Sequence, residues 1–265
     1  MLGGVTARAN WEVSPGSTIE LGELDAASTA HSPGDRAATD AVIPGMHDVL
    51  RGLQSRLWAE GARSVLVVLQ GIDASGKDGT ISHVFRGLDP LGTTVAVFKV
   101  PNDQELAHDF LWRVHARCPA AGEIGIFNRS HYEDVLAARV RNLVSEATWR
   151  ARYGHINEFE SLLGDEGTTV VKLFLHVSKK EQRTRLDERL AEPSKRWKFR
   201  ESDLEDRAHW ADYRAAFEEM LAKTSTTTAP WYVVPADHKW YRNWVVSTIL
   251  IEVLTEMDLH YPAAK

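Results

Sequence analysis

The chain has 265 residues, 43% of them hydrophobic and 26% charged, which suits a globular α/β protein with a sizeable core; with a formal net charge of −6, any polyanion it binds must meet a locally basic surface. Its single cysteine, Cys118, excludes an intramolecular disulfide framework. No apolar run approaches the ~20 residues that span a bilayer and no signal-peptide pattern opens the chain, so the expectation is a cytoplasmic protein without a membrane partner.

Residues 1–42 are rich in Gly, Ser, Thr, Ala and Asp and read as an extended or partly disordered arm; residues 43–265 read as a single domain. Met46, Val49, Leu50, Leu53 and Leu57 recur at helical spacing, so a helix is predicted to run to Glu60, stopped by Gly61. Ser64 to Gln70 is apolar on both faces, as a central parallel strand is. Alternation then continues. Strands are predicted at Thr94 to Val100, Ile124 to Asn128, Thr169 to Val177 and Trp231 to Val234. Helices are predicted at Gln104 to Cys118, Ser130 to Leu143, 155–163, Lys179 to Leu190 and Trp240 to Met257. Such alternation implies a mostly parallel sheet with helices on both faces. Residues 191–223 carry no strand and read as a charged helical insertion, suited to a mobile lid.

Between the first central strand and the next helix lies Gly71-Ile-Asp-Ala-Ser-Gly-Lys-Asp-Gly-Thr80. It fits G-x-x-x-x-G-K, in which small residues let backbone N–H groups cradle phosphate oxygens and the lysine reaches the terminal phosphates. The cradle is therefore assigned to Gly71, Ala74, Ser75, Gly76, Lys77, Asp78, Gly79 and Thr80. Asp78 stands where the common loop has a Mg²⁺-binding hydroxyl; it either serves the metal or caps the helix. Asp73 is an anion inside an anion cradle, which points to a metal or catalytic role.

The strand Ile124 to Asn128 ends in Asn128 and Arg129, at the sheet edge where open α/β sheets bind ligands. Glu133 and Asp134 follow; they either serve the site or complement a helix dipole. His131 reads as a packed histidine, since phosphoryl transfer needs positioning and charge neutralisation more than proton chemistry. Lys179 to Arg200 holds nine Lys or Arg against four acids. Part of such a run is ordinary solvated helix face. Arg185, Arg189, Lys195 and Arg196 are the candidates to neutralise a phosphorylated substrate. Aromatic spacing and overall acidity argue against nucleic acid.

The loop motif, Phe98-Lys-Val-Pro, His108-Asp-Phe-Leu-Trp-Arg, Phe127-Asn-Arg-Ser-His-Tyr-Glu-Asp, Lys195-Arg-Trp-Lys-Phe and Ala229-Pro-Trp-Tyr-Val-Val-Pro-Ala-Asp-His-Lys occur in that order. Together, from about Leu21 to Leu254, they resemble the polyphosphate kinase 2 family. The resemblance implies a P-loop kinase fold like that of thymidylate kinase, a three-layer sandwich with a helical lid. It implies Mg²⁺-dependent, reversible transfer between inorganic polyphosphate and nucleoside mono- or diphosphates, without a covalent intermediate. The family's catalytic positions fall on Asp73, which is also its metal carboxylate, Lys77 and Arg129, with a lid arginine on Arg189. The nucleotide is implied at Asn128, Glu133 and Asp134. One branch of the family has Asp at the place of Asn128; the version here resembles the branch that phosphorylates AMP and ADP, with GMP and GDP as further candidates. Family members commonly form dimers or tetramers, so a homo-oligomer is implied. The competing readings are an ATP-dependent nucleoside or nucleotide kinase, against which Asp78 argues, and a non-enzymatic P-loop sensor.

Overall fold

A computed structural model of the chain describes residues 6–199 and 201–263. The arm's first five residues, the last two of the chain, and Arg200 of the basic run lie outside the described residues. Six strands form one sheet in the order β1-β6-β5-β2-β4-β3. They are β1 (Glu12–Val13), β2 (Ser64–Gln70), β3 (Thr93–Val97), β4 (Ile124–Asn128), β5 (Thr168–His176) and β6 (Trp231–Pro235). All neighbours are parallel except β1, which pairs antiparallel with β6.

The sheet is parallel because helices return the chain between strands. These are α1 (Arg36–Glu60), α2 (Lys77–Val84), the single turns α3 (Asp103–Leu106), α4 (Trp112–His115) and α5 (Ala137–Val140), then α6 (Glu146–Asp165), α7 (Lys179–Ala191), α8 (Glu201–Ala208), α9 (Trp210–Thr224) and α10 (Lys239–Glu256). Every residue of β2 is buried. Val65, Val67 and Leu69 face a layer built by α1, α2 and α10, and Leu66 and Val68 face one built by α6 and α9. The architecture is the expected α/β three-layer sandwich, and the fully apolar reading of β2 follows from helices on both its faces.

Several elements depart from the sequence reading. α1 begins at Arg36, where Asp35 caps it by accepting from the Ala38 N–H, so the last seven residues assigned to the arm are helical. The described part of the arm before α1 is tied down: Trp11, Val13, Leu21 and Ala26 are buried, Ala26 accepts from the Asp237 N–H, and Ala30 accepts from the Tyr241 hydroxyl. The helix expected over Gln104 to Cys118 is broken into α3 and α4. Asp109 there accepts from the Leu111 N–H, so a side chain replaces a helical carbonyl. The helix expected over Ser130 to Leu143 is likewise a 3-10 turn, His131–Asp134, and then α5; Ser130 accepts from the Tyr132 N–H. The helix expected at 155–163 is the second half of α6, which Ser145 caps. The segment expected as lid is also split. α9 buries Tyr213, Ala216, Phe217, Met220 and Leu221 in the core layer, so only the part of the insertion before α9 is left as a candidate lid.

Candidate active site

The cradle forms where β2 turns into α2. Gly71 and Gly76 have φ of 150° and 110°, a region that side chains rarely adopt. A Cβ on Gly71 would stand 2.8 Å from the Leu175 carbonyl oxygen. Both glycines are thus required by backbone conformation and by close neighbours, and the loop can curl with its N–H groups inward. The first N–H groups of α2 have no intrahelical acceptor and open onto the same space.

Lys77, the first residue of α2, is 7% exposed. Its Nζ donates to the Gly71 and Ile72 carbonyl oxygens at 2.6 and 3.3 Å. Burial, reinforced by the Arg129 charge and opposed by Asp73 and Glu133, lowers its pKa to about 8. Asp73 is ion-paired with Arg129 Nη2. Burial alone would raise the Asp73 pKa, but the charges of Arg129, Lys77 and Arg189 outweigh it and hold the carboxyl below its usual range. Arg189 on α7 therefore acts electrostatically on the cradle. Arg129 sits just beyond β4 at φ 62°. This left-handed turn aims one nitrogen at Asp73 and the other at Glu133 Oε2, 3.1 Å away.

Asn128 and Asp78 face each other, the Asn128 Nδ2 donating to Asp78 Oδ1 at 2.8 Å. The residue that stands in place of the loop hydroxyl and the one that ends β4 thus form one pair. Asp134 turns toward α6 and pairs with Arg152 at 3.2 Å. Burial raises its pKa, against the pull of Arg152 and Arg113. Ser75 is fully buried beneath the loop, and the Thr80 hydroxyl donates to the Gly76 carbonyl oxygen at 3.2 Å.

Arg185 does not fit its assignment as a phosphate ligand. A guanidinium has five N–H donors. Here they reach the carbonyl oxygens of Ala74, Ser75, Ala236 and Asp237 and the Glu181 carboxylate. Arg185 props the loop and has no donor left for a ligand. Lys195 and Arg196 are exposed, and the Arg196 Nε donates to the Leu190 carbonyl oxygen at 2.9 Å; no bond among the described residues ties either to the loop.

His131 is fully buried and bonded to Glu160 Oε1 at 3.2 Å. It belongs to a network that the sequence reading missed. Lys172, in the middle of β5, donates to Glu160 Oε2 at 2.6 Å, to the Tyr132 hydroxyl at 3.1 Å and to the Thr224 carbonyl oxygen at 2.5 Å. Two further neighbours of the cradle were also missed. Gln182 donates to the Asp73 carbonyl oxygen at 3.0 Å, and Arg242 lies against Gly76. A lone lysine in an apolar run was the only signal for the network, and nothing local marked the other two. A cavity of about 470 Å³ lies beside the cradle, between the arm, the end of β5 and α9, and meets the loop at Ile72.

No group of three His, Cys, Asp or Glu among the described residues could hold a metal by protein ligands alone. A magnesium ion carried by substrate phosphates needs only one or two carboxylates, the rest of its octahedron being phosphate oxygens and water. Asp73, at the cradle and flanked by Asp78, fits that requirement. No helix among the described residues is long and apolar enough to cross a membrane.

Fold and cradle together define a P-loop phosphotransferase. The profile of the polyphosphate kinase 2 family matches residues 36–262, and the chain belongs to that family. It is 54% identical over 95% of its length to an AMP/ADP-polyphosphate phosphotransferase of Meiothermus ruber, covering 94% of that protein. It is 45% identical over 80% of its length to an ADP-polyphosphate phosphotransferase of Rhodopseudomonas palustris, covering 78% of it. The crystal structure of polyphosphate kinase 2 from Arthrobacter aurescens superposes with a TM-score of 0.95 at 42% identity, covering 98% of this chain and 93% of that one.

Proposed function

We propose that this enzyme transfers the terminal phosphoryl group of inorganic polyphosphate to AMP and ADP, reversibly and without a covalent intermediate. The observation that carries the reading is a carboxylate inside the phosphate cradle, Asp73, clamped by Arg129 from the next strand, in a chain 54% identical to an AMP/ADP-polyphosphate phosphotransferase.

A phosphate oxygen of the acceptor nucleotide attacks the terminal phosphorus of the chain. The bridging P–O bond breaks, and the shortened polyphosphate leaves with the bonding electron pair. The loop N–H groups and Lys77 hold the donor's terminal phosphates. Arg129 and Arg189 neutralise the charge that spreads over the transferring group. Asn128, Glu133 and Asp134, at the end of β4, flank the acceptor. Mg²⁺, held through Asp73, supplies further charge neutralisation when bound. Residues 192–209, with Lys195 and Arg196, form the lid. GMP and GDP are further acceptors, and the protein works as a cytoplasmic homo-oligomer.

The test is product analysis of the purified protein with Mg²⁺, long-chain polyphosphate and, separately, AMP, ADP, GMP and GDP. ADP and ATP should form from AMP only when polyphosphate is present. Product from ADP but none from AMP would remove the monophosphate acceptor. Turnover only when ATP replaces polyphosphate would make this an ordinary nucleotide kinase.

A further inference from the structure

Arg242 lies in the first turn of α10 and is 2% exposed. Its Nη1 is 1.9 Å from where a Cβ on Gly76 would stand, and its Nη2 is 3.3 Å from the same point on Gly79. The guanidinium therefore covers the last glycine of the loop and the first turn of α2. Its own bonds are weak compensation: Nε and Nη2 both donate to one neutral oxygen, Asn243 Oδ1, at 3.2 and 2.8 Å. No carboxylate among the described residues forms an ion pair with it. Its charged neighbour is Arg185, of the same sign and already saturated. Burial, and then Arg185, lower the Arg242 pKa to about 9.

A buried guanidinium without a counter-charge destabilises a fold, and it is the group best suited to bind phosphate. The anion that would complete it has a place. The first N–H groups of α2, which a helix leaves without an intrahelical acceptor, belong to the residues between Gly76 and Gly79, the two glycines that the guanidinium touches. We propose that Arg242 binds a phosphate unit of the donor chain at the Gly76 to Gly79 end of the loop, next to those held by the loop N–H groups and Lys77. This inference rests on the polyphosphate-donor reading above.

The experiment compares wild type with Arg242→Met, Arg242→Gln and Arg242→Lys. It measures kcat, the KM for long-chain polyphosphate, the KM for AMP, and Tm with and without polyphosphate. Expected for Arg242→Met and Arg242→Gln are a tenfold or greater rise in KM for polyphosphate and a KM for AMP within twofold of wild type. Tm of the free protein should be unchanged or higher, with a smaller polyphosphate-induced Tm shift. Arg242→Lys should recover most of the KM. A prop for the loop would do the opposite, lowering the free Tm and raising both KM values together, and that result overturns the proposal. So does a KM for polyphosphate within twofold of wild type in a folded Arg242→Gln or Arg242→Met protein while wild type is active. A wild-type protein that draws no phosphate from polyphosphate overturns this proposal together with the donor reading.

Discussion

The buried cations at the phosphate loop and those under the helices differ in how completely the protein satisfies them. Beneath α6 and α9, Lys172 is fully buried, and its three ammonium protons meet three acceptors on Glu160, Tyr132 and Thr224. Arg185, which props the loop, is closed in the same way, with five donors and five acceptors. At the cradle, Lys77 donates only to two backbone oxygens, and Arg242 only to one amide oxygen. Burial alone does not separate a structural cation from a ligand-binding one. The count of unfilled donors and of nearby carboxylates does, because a saturated group has nothing left to offer a substrate while an unsaturated one is waiting for an anion.

The contrast can be broken most decisively at the cradle. Asp73→Ala and Lys77→Ala should each lower polyphosphate-dependent turnover by ~10²–10³-fold or more, as the loss of a transition-state partner does. Neither should lower Tm by more than a few degrees. Near-normal turnover in a folded Asp73→Ala protein would remove that residue from the mechanism.

The opposite behaviour is expected in the saturated network. Glu160→Gln leaves Lys172 charged and unpaired, which should cost ~3–5 kcal/mol in urea unfolding, while activity per folded molecule stays close to wild type. A cost below ~1 kcal/mol would mean that the network is dispensable to the fold. Arg185→Met is intermediate. It strips the loop of its props, so stability should fall by ~1.5–3 kcal/mol. Amide exchange across Gly71 to Thr80 should quicken, with the KM for both substrates rising.

The smallest effect is in the pH profile. The Lys77 pKa is lowered to about 8 by burial and by Arg129, so kcat/KM for polyphosphate should fall above pH 8, by up to about tenfold per unit. The profile of kcat should be flatter, because bound polyanion favours the ammonium. Stability runs the other way. The folded pKa lies below the unfolded value of ~10.4, so between about pH 8 and 10.4 the unfolded chain binds the extra proton, and the Lys77 contribution to stability rises with pH. A kcat/KM for polyphosphate that is flat from pH 7 to 9.5 would place the lysine outside donor binding.

Much of the architecture was legible in the chain. Strands β2, β4, β5 and β6 are buried, largely apolar runs because helices cover the sheet on both faces. The cradle was legible because its glycines answer to local backbone geometry at fixed spacing. Elements whose regularity is interrupted by side chains were harder to read. Asp109 and Ser130 take over backbone N–H groups and break two expected helices, and periodicity does not record that competition. The apolar face of α9 lay inside a charged segment and looked like part of a lid until it was seen packed against β5 and α6.

By itself, then, the sequence determined the strand alternation, the phosphate cradle, and the set of Asp73, Lys77 and Arg129, since each follows from residues adjacent in the chain or from the ends of neighbouring strands. The tertiary structure alone decided which cations the fold saturates and which keep unfilled donors. Arg185 and Arg242 look alike in sequence, each an arginine on a helix near the end of a strand. They part only because the chain brings four carbonyl oxygens and Glu181 to one of them and leaves the other against Gly76 with no anion of its own. Long-range placement of counter-charges is a property of the packed core, and no local pattern carries it.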